Sequence, residues 1–526
     1  MSDNAIQTAQ VLAERYGSAY RWLVTIAGMV GVVSMVLAMT TVNVAVPDVM
    51  GAFGVGQDKA QWMSSAYMAT MTAGMLINAW LVGVLGERRV FVGALVFFSL
   101  GALMGGAAPN EQTLIFSRVL QGFSAGVSQP LVMATIFTVF PPDRRGMAMG
   151  VFGLGVVFAP AIGPTLGGLM IEYFSWRYVF FISLPFCVIA AAMGLLFMPT
   201  RRIPRQIPPF DWLGFALLCL SLFGLMTGIA DGQREGWASD TIVLRLVVGT
   251  VAGVAFVMWE LHTPRALLDV RIFANLEFSA TAMIAFIFGA GMMGSTYVIP
   301  VFVQTIIGFT PLLAGLMMMP AGIMLAFIFP IAGRLSDTVP ASAMIIVGLL
   351  LFALGFAWMT VADVDTTFWT LVAMIMVSRL GLGLINPSLN ASSLRALPAD
   401  KVRQGSGVAN FMRQLGGAFG INLMVAFFEV RTRFHADALA ATQVWDNHTT
   451  ERFLHQVQQL LQRAGLPFQQ QKAMALDYLG TIVNLTAQTM AFSDTFIVVG
   501  AVALAALLPA AMLSRSQRRS GRLAFG

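Results

Sequence analysis

The sequence predicts an all-α polytopic membrane protein with fourteen transmembrane helices arranged as six, two and six. Of its 526 residues, 57% are hydrophobic and only 11% are charged, whereas soluble domains carry roughly 25% charged residues. Long apolar stretches recur along the chain, and each can cross a hydrocarbon core of roughly 30 Å. Because strict alternation of polar and apolar residues is absent, the stretches are helices and not barrel strands.

The apolar stretches also define the predicted organisation of the chain. The predicted spans are 21–46, 62–82, 89–108, 113–137, 146–170, 177–198, 212–231, 241–261, 278–302, 311–333, 341–361, 367–391, 405–430 and 491–514. The predicted parts are an N-terminal cytoplasmic segment at 1–20, a six-helix half at 21–198, a two-helix insert with its flanking loops at 199–277, a second six-helix half at 278–514 that includes a periplasmic loop at 431–490, and a basic cytoplasmic tail at 515–526.

The distribution of basic residues predicts the orientation. The termini and the loops on their side carry 19 Arg and Lys residues, against 3 in the short loops on the opposite side. Cytoplasmic loops are enriched in Arg and Lys, so both termini are predicted to be cytoplasmic. This bias accounts for the net charge of +6, and no nucleic-acid partner is predicted.

Several kinds of chemistry are excluded by the residues themselves. No His is followed by Glu, as a zinc-binding HExxH helix requires, and no Lys follows a Gly, as a Walker A loop requires. The spans contain no cluster of His, Asp and Glu of the kind that a membrane-embedded enzyme needs. Cys187 and Cys219 lie in apolar runs and are predicted to pack as small hydrophobic residues. We therefore predict no enzymatic activity, no metal and no cofactor.

An internal repeat links the two six-helix parts. Ser117 and Arg118, followed by Gly122, recur as Ser378 and Arg379, followed by Gly383. Two loop motifs recur at nearly the same offset, which indicates duplication. Parallel repeats of this kind are typical of transporters whose halves rock about a central site.

The motifs resemble those of the major facilitator superfamily. Residues 118–122 resemble its fourth-helix motif, residues 155–168 its fifth-helix antiporter motif, and residues 43–47 the end of helix 1 in fourteen-helix drug:proton antiporters of the EmrB/QacA type. The resemblance implies a major facilitator fold and proton-driven export of amphipathic toxic compounds across the inner membrane by alternating access. It also implies a periplasmic membrane-fusion adaptor and an outer-membrane channel as partners of loop 431–490; a cap lying on the membrane is the alternative.

Arg118 is the sharpest candidate residue. A cation inside a span commonly costs about +2.5 kcal/mol or more on insertion scales, so it normally faces the interior of the bundle or a water-filled cavity. The resemblance assigns Arg118 to proton coupling, and a structural clamp between helices is the alternative. Gln121, nearly one turn later, is a plausible hydrogen-bond partner and substrate contact.

The antiporter motif combines small residues with helix breakers. Gly155, Gly163 and Gly167 leave notches for close helix approach. Pro160 and Pro164 remove backbone donors and bend the helix. A pliable helix suits alternating access, although Gly and Pro are also common in ordinary transmembrane packing.

The short loop at 83–89 resembles a degenerate gating motif. Arg88 and Arg89 fit the motif, but its acidic residue is missing at Gly83. The second copy retains Asp337, which is predicted to lock the cytoplasmic gate by pairing with a helix end or an arginine. A solvated loop carboxylate is the alternative.

Helix 1 departs from the family. Ala38 stands where the family places an Asp, and Asp494 in the last span is the leading substitute for proton coupling. Helices 1, 4, 9 and 13 are predicted to line the pocket, with substrate contacts from Met39, Thr40, Asn43, Gln121 and Gln414.

The charge balance inside the spans predicts a substrate preference. Arg118, Arg379 and Arg413 lie within spans, whereas no acidic residue lies near a span centre. Such a cavity should favour anionic or neutral amphiphiles. Export of a specific anionic metabolite, such as a fatty acid or siderophore, is therefore an alternative; a passive channel and a membrane-embedded enzyme are weaker ones.

Overall fold

A computed structural model describes residues 3–55, 57–200, 209–263, 267–443 and 447–524, and this part of the chain contains no β-strand. The helices of the first half are α1 (Asp3–Tyr16), α2 (Ala19–Val44), α3 (Val46–Phe53), α4 (Gln57–Leu85), α5 (Glu87–Gly106), α6 (Glu111–Val139), α7 (Arg145–Tyr173), α8 (Tyr178–Phe181) and α9 (Leu184–Phe197). The insert consists of α10 (Trp212–Glu235) and α11 (Asp240–His262).

The second half is built in the same way and continues into further long helices. Its helices are α12 (Leu276–Thr305), α13 (Pro311–Thr338), α14 (Ala341–Met359), α15 (Phe368–Arg395), α16 (Val402–Ala440), α17 (His448–Arg463), α18 (Phe468–Ala505) and α19 (Leu507–Ala524). Short single turns follow Pro141 and Asp269.

The helices agree with an all-α membrane protein. Thirteen helical stretches of the described residues are long and apolar enough to cross a membrane. The 29-residue helix α7 covers the remaining predicted span, so the structure is consistent with fourteen. The sixth predicted span is divided into α8 and α9, and Pro185 lies in the first turn of α9, where its missing N–H costs nothing.

Helix packing repeats between the two halves. In the first half α2 packs on α7 and α4 on α6; in the second half α12 packs on α16 and α13 on α15. Across the seam between the halves, α7 packs on α13 and α4 on α16. The predicted repeat relates α4 to α13 and α7 to α16, so it converts one of these two pairs into the other. The packing therefore has the twofold relation that a duplicated chain would give.

The described contacts across the seam lie toward one end of the bundle. We call this end the basic face, because its loops carry the excess of Arg and Lys. A Cβ at Gly150 would lie 2.4 Å from the Phe329 carbonyl oxygen, and one at Gly407 would lie 2.7 Å from that of Met75. Ser406 Oγ donates a 3.0 Å hydrogen bond to the Pro130 carbonyl. The two halves are therefore in close contact at the basic face.

Candidate functional site

Arg118 lies fully buried in α6 and reaches both neighbouring helices of its half. Its Nε donates to the Met63 carbonyl of α4 at 3.1 Å, and its Nη1 donates to Gln121 Oε1 at 2.8 Å and to the Ala38 carbonyl of α2 at 3.4 Å. The guanidinium carbon lies 4.3 Å from the ring centroid of Tyr67, within the range of a cation–π contact. Arg118 and Gln121 are thus brought together as the sequence predicts.

The partners of Arg118 are neutral. Among the described residues, Arg118 Nη2 and Gln121 Nε2 are buried without a hydrogen-bond partner. Leaving a buried polar group unpaired is costly, so these two N–H groups are open donor positions in the first half. The side chain of Asn43 lies outside the described residues.

The Ala38 position remains part of this site although it carries no carboxylate. Its backbone carbonyl accepts a hydrogen bond from Arg118, which an acidic side chain at this position could otherwise accept. The neighbouring Met39 and Thr40 are half-buried. Thr40 Oγ1 donates to the Leu37 carbonyl at 3.0 Å, which is the back-bonding that hydroxyl side chains make in helices.

The glycines of the antiporter motif bring α7 against α2. A Cβ at Gly163 would lie 2.0 Å from Thr40 Oγ1, and one at Gly167 would lie 2.9 Å from the Thr41 carbonyl oxygen. A Cβ at Gly155 would lie 3.0 Å from Met29 Cε. The close approach of α2 and α7, which are the first and fifth predicted spans, therefore depends on these small residues. The side chains of Pro160 and Pro164 lie outside the described residues.

Asp337 joins the second half to the first at the basic face. Its Oδ1 accepts from the Gly146 amide at 2.7 Å, and its Oδ2 accepts from the Met147 amide at 3.0 Å. Both amides belong to the first turn of α7, whose donors have no intrahelical acceptor. Arg395 Nη2 lies 2.5 Å from Asp337 Oδ1. Asp337 thus pairs with a helix end and an arginine at once.

The first-half gating loop is built differently. α4 and α5 are joined by Gly86 alone, at a φ of 82° that favours glycine. Arg88 Nε donates to the Met198 carbonyl of its own half at 2.8 Å, and Arg89 is exposed. Glu87 instead crosses the seam, where Arg403 Nη1 of α16 lies 3.2 Å from its Oε1.

Sequence reasoning missed Glu87, Arg395 and Arg403. The acidic residue of the motif was sought at Gly83, whereas the bridging carboxylate lies four residues later at the start of the next helix. Four residues make about one helical turn, so a search over one turn would have found Glu87.

The two remaining intramembrane arginines lie in the second half. Arg379 Nη1 donates to Ser295 Oγ at 3.1 Å. Arg413 Nη1 donates to Asn390 Oδ1 at 3.2 Å and to Asn386 Oδ1 at 3.4 Å, and its Nη2 donates to Asn410 Oδ1. Gln414, the next residue, is half-buried. The structure does not bring Arg118 into contact with Arg379 or Arg413.

Asp494 lies toward the end of the bundle opposite the basic face, and it does not lie beside Arg118. Arg431 Nε lies 2.6 Å from Asp494 Oδ2, and His435 Nε2 lies 2.7 Å from the same oxygen. The three side chains connect the outer parts of α16 and α18. The assignment of Asp494 to proton coupling stays a prediction.

Comparison with known proteins gives the family. Residues 11–421 match the family model described as Major Facilitator Superfamily. The chain is 28% identical to the multidrug export protein EmrB of Haemophilus influenzae, over 83% of this chain and 86% of that one. It is 26% identical to the fatty acid resistance protein FarB of Neisseria gonorrhoeae, over 96% and 98%.

A solved structure supports the fold. The crystal structure of the human organic anion transporter MFSD10 matches with a TM-score of 0.60 at 14% identity, over 94% of this chain and 99% of that chain. The match to the family model covers most of the chain, and the fold and the sequence relatives agree with it. The chain therefore belongs to the major facilitator superfamily and is a multi-span membrane transporter.

Proposed function

We propose that this protein exports amphipathic toxic compounds across the inner membrane in exchange for protons, by alternating access. The observation that carries the proposal is the Arg118 site, where a charged guanidinium is fully buried in a span among neutral partners. Intramembrane charges are costly and mark transport pathways and proton relays. The relative EmrB, named as a multidrug export protein, supports the choice of cargo.

Arg118 would couple protons to export through its fixed charge. An arginine side chain does not release its proton in proteins, so it acts on a nearby acidic group or a water-borne proton through its field. Its unpaired Nη2 and the unpaired Nε2 of Gln121 offer two donors to an arriving oxygen. Met39, Thr40, Asn43, Gln121 and Gln414 would supply contacts to the cargo, and Asp494 is the proposed carboxylate.

The contacts at the basic face would keep the cytoplasmic side closed while the outer side is open. Asp337 caps α7 from the opposite half, and Glu87 pairs with Arg403. Opening toward the cytoplasm requires both contacts to break, together with the close approach of α7 to α13. The glycine-lined contact of α7 on α2 would allow the first helices to adjust as the halves move.

The end of α16, α17 and the start of α18 correspond to loop 431–490, and we call them the outer helices. They would form the docking platform for a periplasmic adaptor that leads to an outer-membrane channel. Phe453 of α17 stacks on Tyr478 of α18 with ring centroids 6.0 Å apart, and Leu460 of α17 is 63% exposed. An amphipathic helix held in this way can present its apolar side to a partner. Under this proposal loop 431–490 lies in the periplasm, and both termini lie in the cytoplasm.

Transport into proteoliposomes under an imposed pH gradient tests the proposal. We expect gradient-driven uptake of amphiphiles by the wild-type protein, loss of uptake when an ionophore dissipates the gradient, and loss in Arg118→Ala. Uptake that is independent of the gradient for every compound would instead indicate a uniporter or a channel.

Export of an anionic metabolite is the second candidate. FarB is named for fatty acid resistance and aligns with nearly the whole chain. The three intramembrane arginines provide positive charge, and none takes part in a salt bridge among the described residues. Comparing cationic, neutral and anionic amphiphiles in the same transport assay separates the two candidates.

A further inference from the structure

A second guanidinium within a span, that of the half-buried Arg413, has the composition of a ligand site. Arg413 is surrounded by the amide side chains of Asn386, Asn390 and Asn410, which are 3%, 4% and 1% exposed. Asn390 Nδ2 also donates to Asn386 Oδ1 at 2.9 Å. The three amides fix the guanidinium by their oxygens but contribute no charge.

The positive charge of Arg413 has no nearby carboxylate on the helices that form the cluster. α15 carries no Asp or Glu, and the nearest acidic residue beyond Arg413 on α16 is Glu429. That separation of sixteen residues corresponds to about 24 Å of helix. Amide dipoles compensate a buried charge only partly, so the cluster keeps an unbalanced charge that an anion would neutralise.

The cluster lies at the seam between the halves. Asn410 Nδ2 donates to Met133 Sδ of α6 at 3.0 Å. The Pro130 carbonyl of α6 also accepts from Ser406 Oγ, one turn earlier on α16, at 3.0 Å. The guanidinium cluster therefore lies next to contacts that part when the two halves separate.

We propose that Arg413, with Asn386, Asn390 and Asn410, binds the carboxylate headgroup of an amphipathic substrate. That the bound anion is a transported substrate rests on the proposed export function, whereas the existence of an anion site does not depend on it. In the closed seam the asparagine oxygens hold the guanidinium. When the basic face opens, Asn410 separates from Met133. A carboxylate then replaces amide oxygens on the guanidinium, because charge-assisted hydrogen bonds are the stronger ones, and it accepts from the amide N–H groups of the asparagines.

Two matched probes test the site. Dansyl-labelled undecanoic acid and its methyl ester share one tail and differ in headgroup charge. Fluorescence titration uses the purified full-length protein in phosphatidylcholine nanodiscs, without any pH gradient. We expect the wild type to prefer the acid, and Arg413→Gln to lower the ratio of acid to ester affinity at least tenfold, as expected for hydrogen bonds to charged groups. Arg413→Lys, which keeps the charge, should retain most of the preference.

Arg379→Gln is the matched control, because it also removes a buried positive charge from a span of the second half. It should lower the ratio of acid to ester affinity much less than Arg413→Gln does, because Arg379 donates to Ser295 and lies outside the asparagine cluster. An equal loss in Arg379→Gln and Arg413→Gln, or a wild type that does not distinguish the probes, overturns the proposal. If Arg413→Gln does not melt like the wild type, the comparison uses Arg413→Lys and Asn390→Leu, of which only the second should lower the ratio.

A lipid arm separates the two sources of an anionic headgroup. Phosphatidylglycerol is added to the nanodiscs at increasing fraction while acid binding is measured. Insensitivity of acid binding supports a cargo site, whereas displacement that depends on Arg413 assigns the site to a lipid headgroup and overturns its role in cargo binding. Because binding is measured without a gradient, absence of transport by the wild type would refute the proposed function independently of this result.

Discussion

The two halves of the bundle share an architecture but elaborate opposite parts of it. In the first half Arg118 has three hydrogen bonds and a ring contact, whereas its repeat counterpart Arg379 has one hydrogen bond, to Ser295. At the basic face the order is reversed. Asp337 of the second half engages two helix amides and Arg395, while Glu87 of the first half engages Arg403 alone among the residues that the structure describes.

This difference teaches how a duplicated chain divides its work. Each half contains an arginine and a gating carboxylate, and the described contacts are more numerous at Arg118 in the first half and at Asp337 in the second. The position of Gln121 is Leu382 in the second copy, so Arg379 lacks the amide partner. We infer that the first half carries the coupling and the second half carries the stronger latch.

The largest expected effect separates the two arginines. In a host without other exporters, Arg118→Gln should abolish protection against toxic amphiphiles, because it removes the charge from the coupling site. Arg379→Gln should lower protection by a few fold at most. Minimum inhibitory concentrations at matched membrane expression give the comparison, and equal losses would remove the proposed asymmetry.

The next effect concerns the latch of the second half. Asp337→Asn removes the charge that holds the α7 amides and Arg395. A hydrogen bond to a charged group contributes about 1.5–3 kcal/mol, so the closed state should lose at least about tenfold in population relative to the open state. Spectroscopic distances between labels at Arg144→Cys and Asp400→Cys, in a background without Cys187 and Cys219, measure the opening. An unchanged distance distribution would show that Asp337 is not a latch.

The contact of α7 on α2 in the first half can be compared with its counterpart in the second half, the contact of α16 on α12. Gly163→Ala meets the side chain of Thr40, whereas Gly420→Ala would place Cβ 2.4 Å from Ala290 Cα. Overpacking costs about 1–3 kcal/mol, and a backbone neighbour yields less than a side chain. We expect a larger fall in melting temperature for Gly420→Ala. Thr40→Ala should rescue Gly163→Ala in part, because it removes Oγ1 but keeps the Thr40 Cβ position, which would lie 2.9 Å from the new Cβ. No rescue at all would contradict the contact.

The smallest effect belongs to the latch of the first half. Arg403 is one-third exposed in its pair with Glu87, and pairs open to solvent contribute about 0.2–1 kcal/mol. Glu87→Gln should therefore open the basic face by less than about fivefold, measured with the same labels. An effect as large as that of Asp337→Asn would reverse the ranking of the two latches.

Much of this organisation follows from composition and periodicity. Long apolar runs predict the helices because each must satisfy its own backbone in lipid. The Ser-Arg repeat predicts the duplication, and the motifs at 118–122 and 155–168 carry the resemblance to the family. Arg118 with Gln121 follows from their spacing on one helix face. Contacts between distant segments do not follow, since nothing local pairs Glu87 with Arg403 or Asp494 with His435. Those pairs depend on how the two halves and the outer helices dock.

The central claim is that the Arg118 charge couples proton movement to export, and proton flux tests it most directly. Purified protein is reconstituted into vesicles that contain a trapped pH-sensitive dye, and an amphiphilic substrate is added while the internal pH is recorded. We predict substrate-dependent proton movement for the wild type and for Arg379→Gln, and none for Arg118→Gln although the substrate still binds. Proton movement at the wild-type rate in Arg118→Gln would contradict the account.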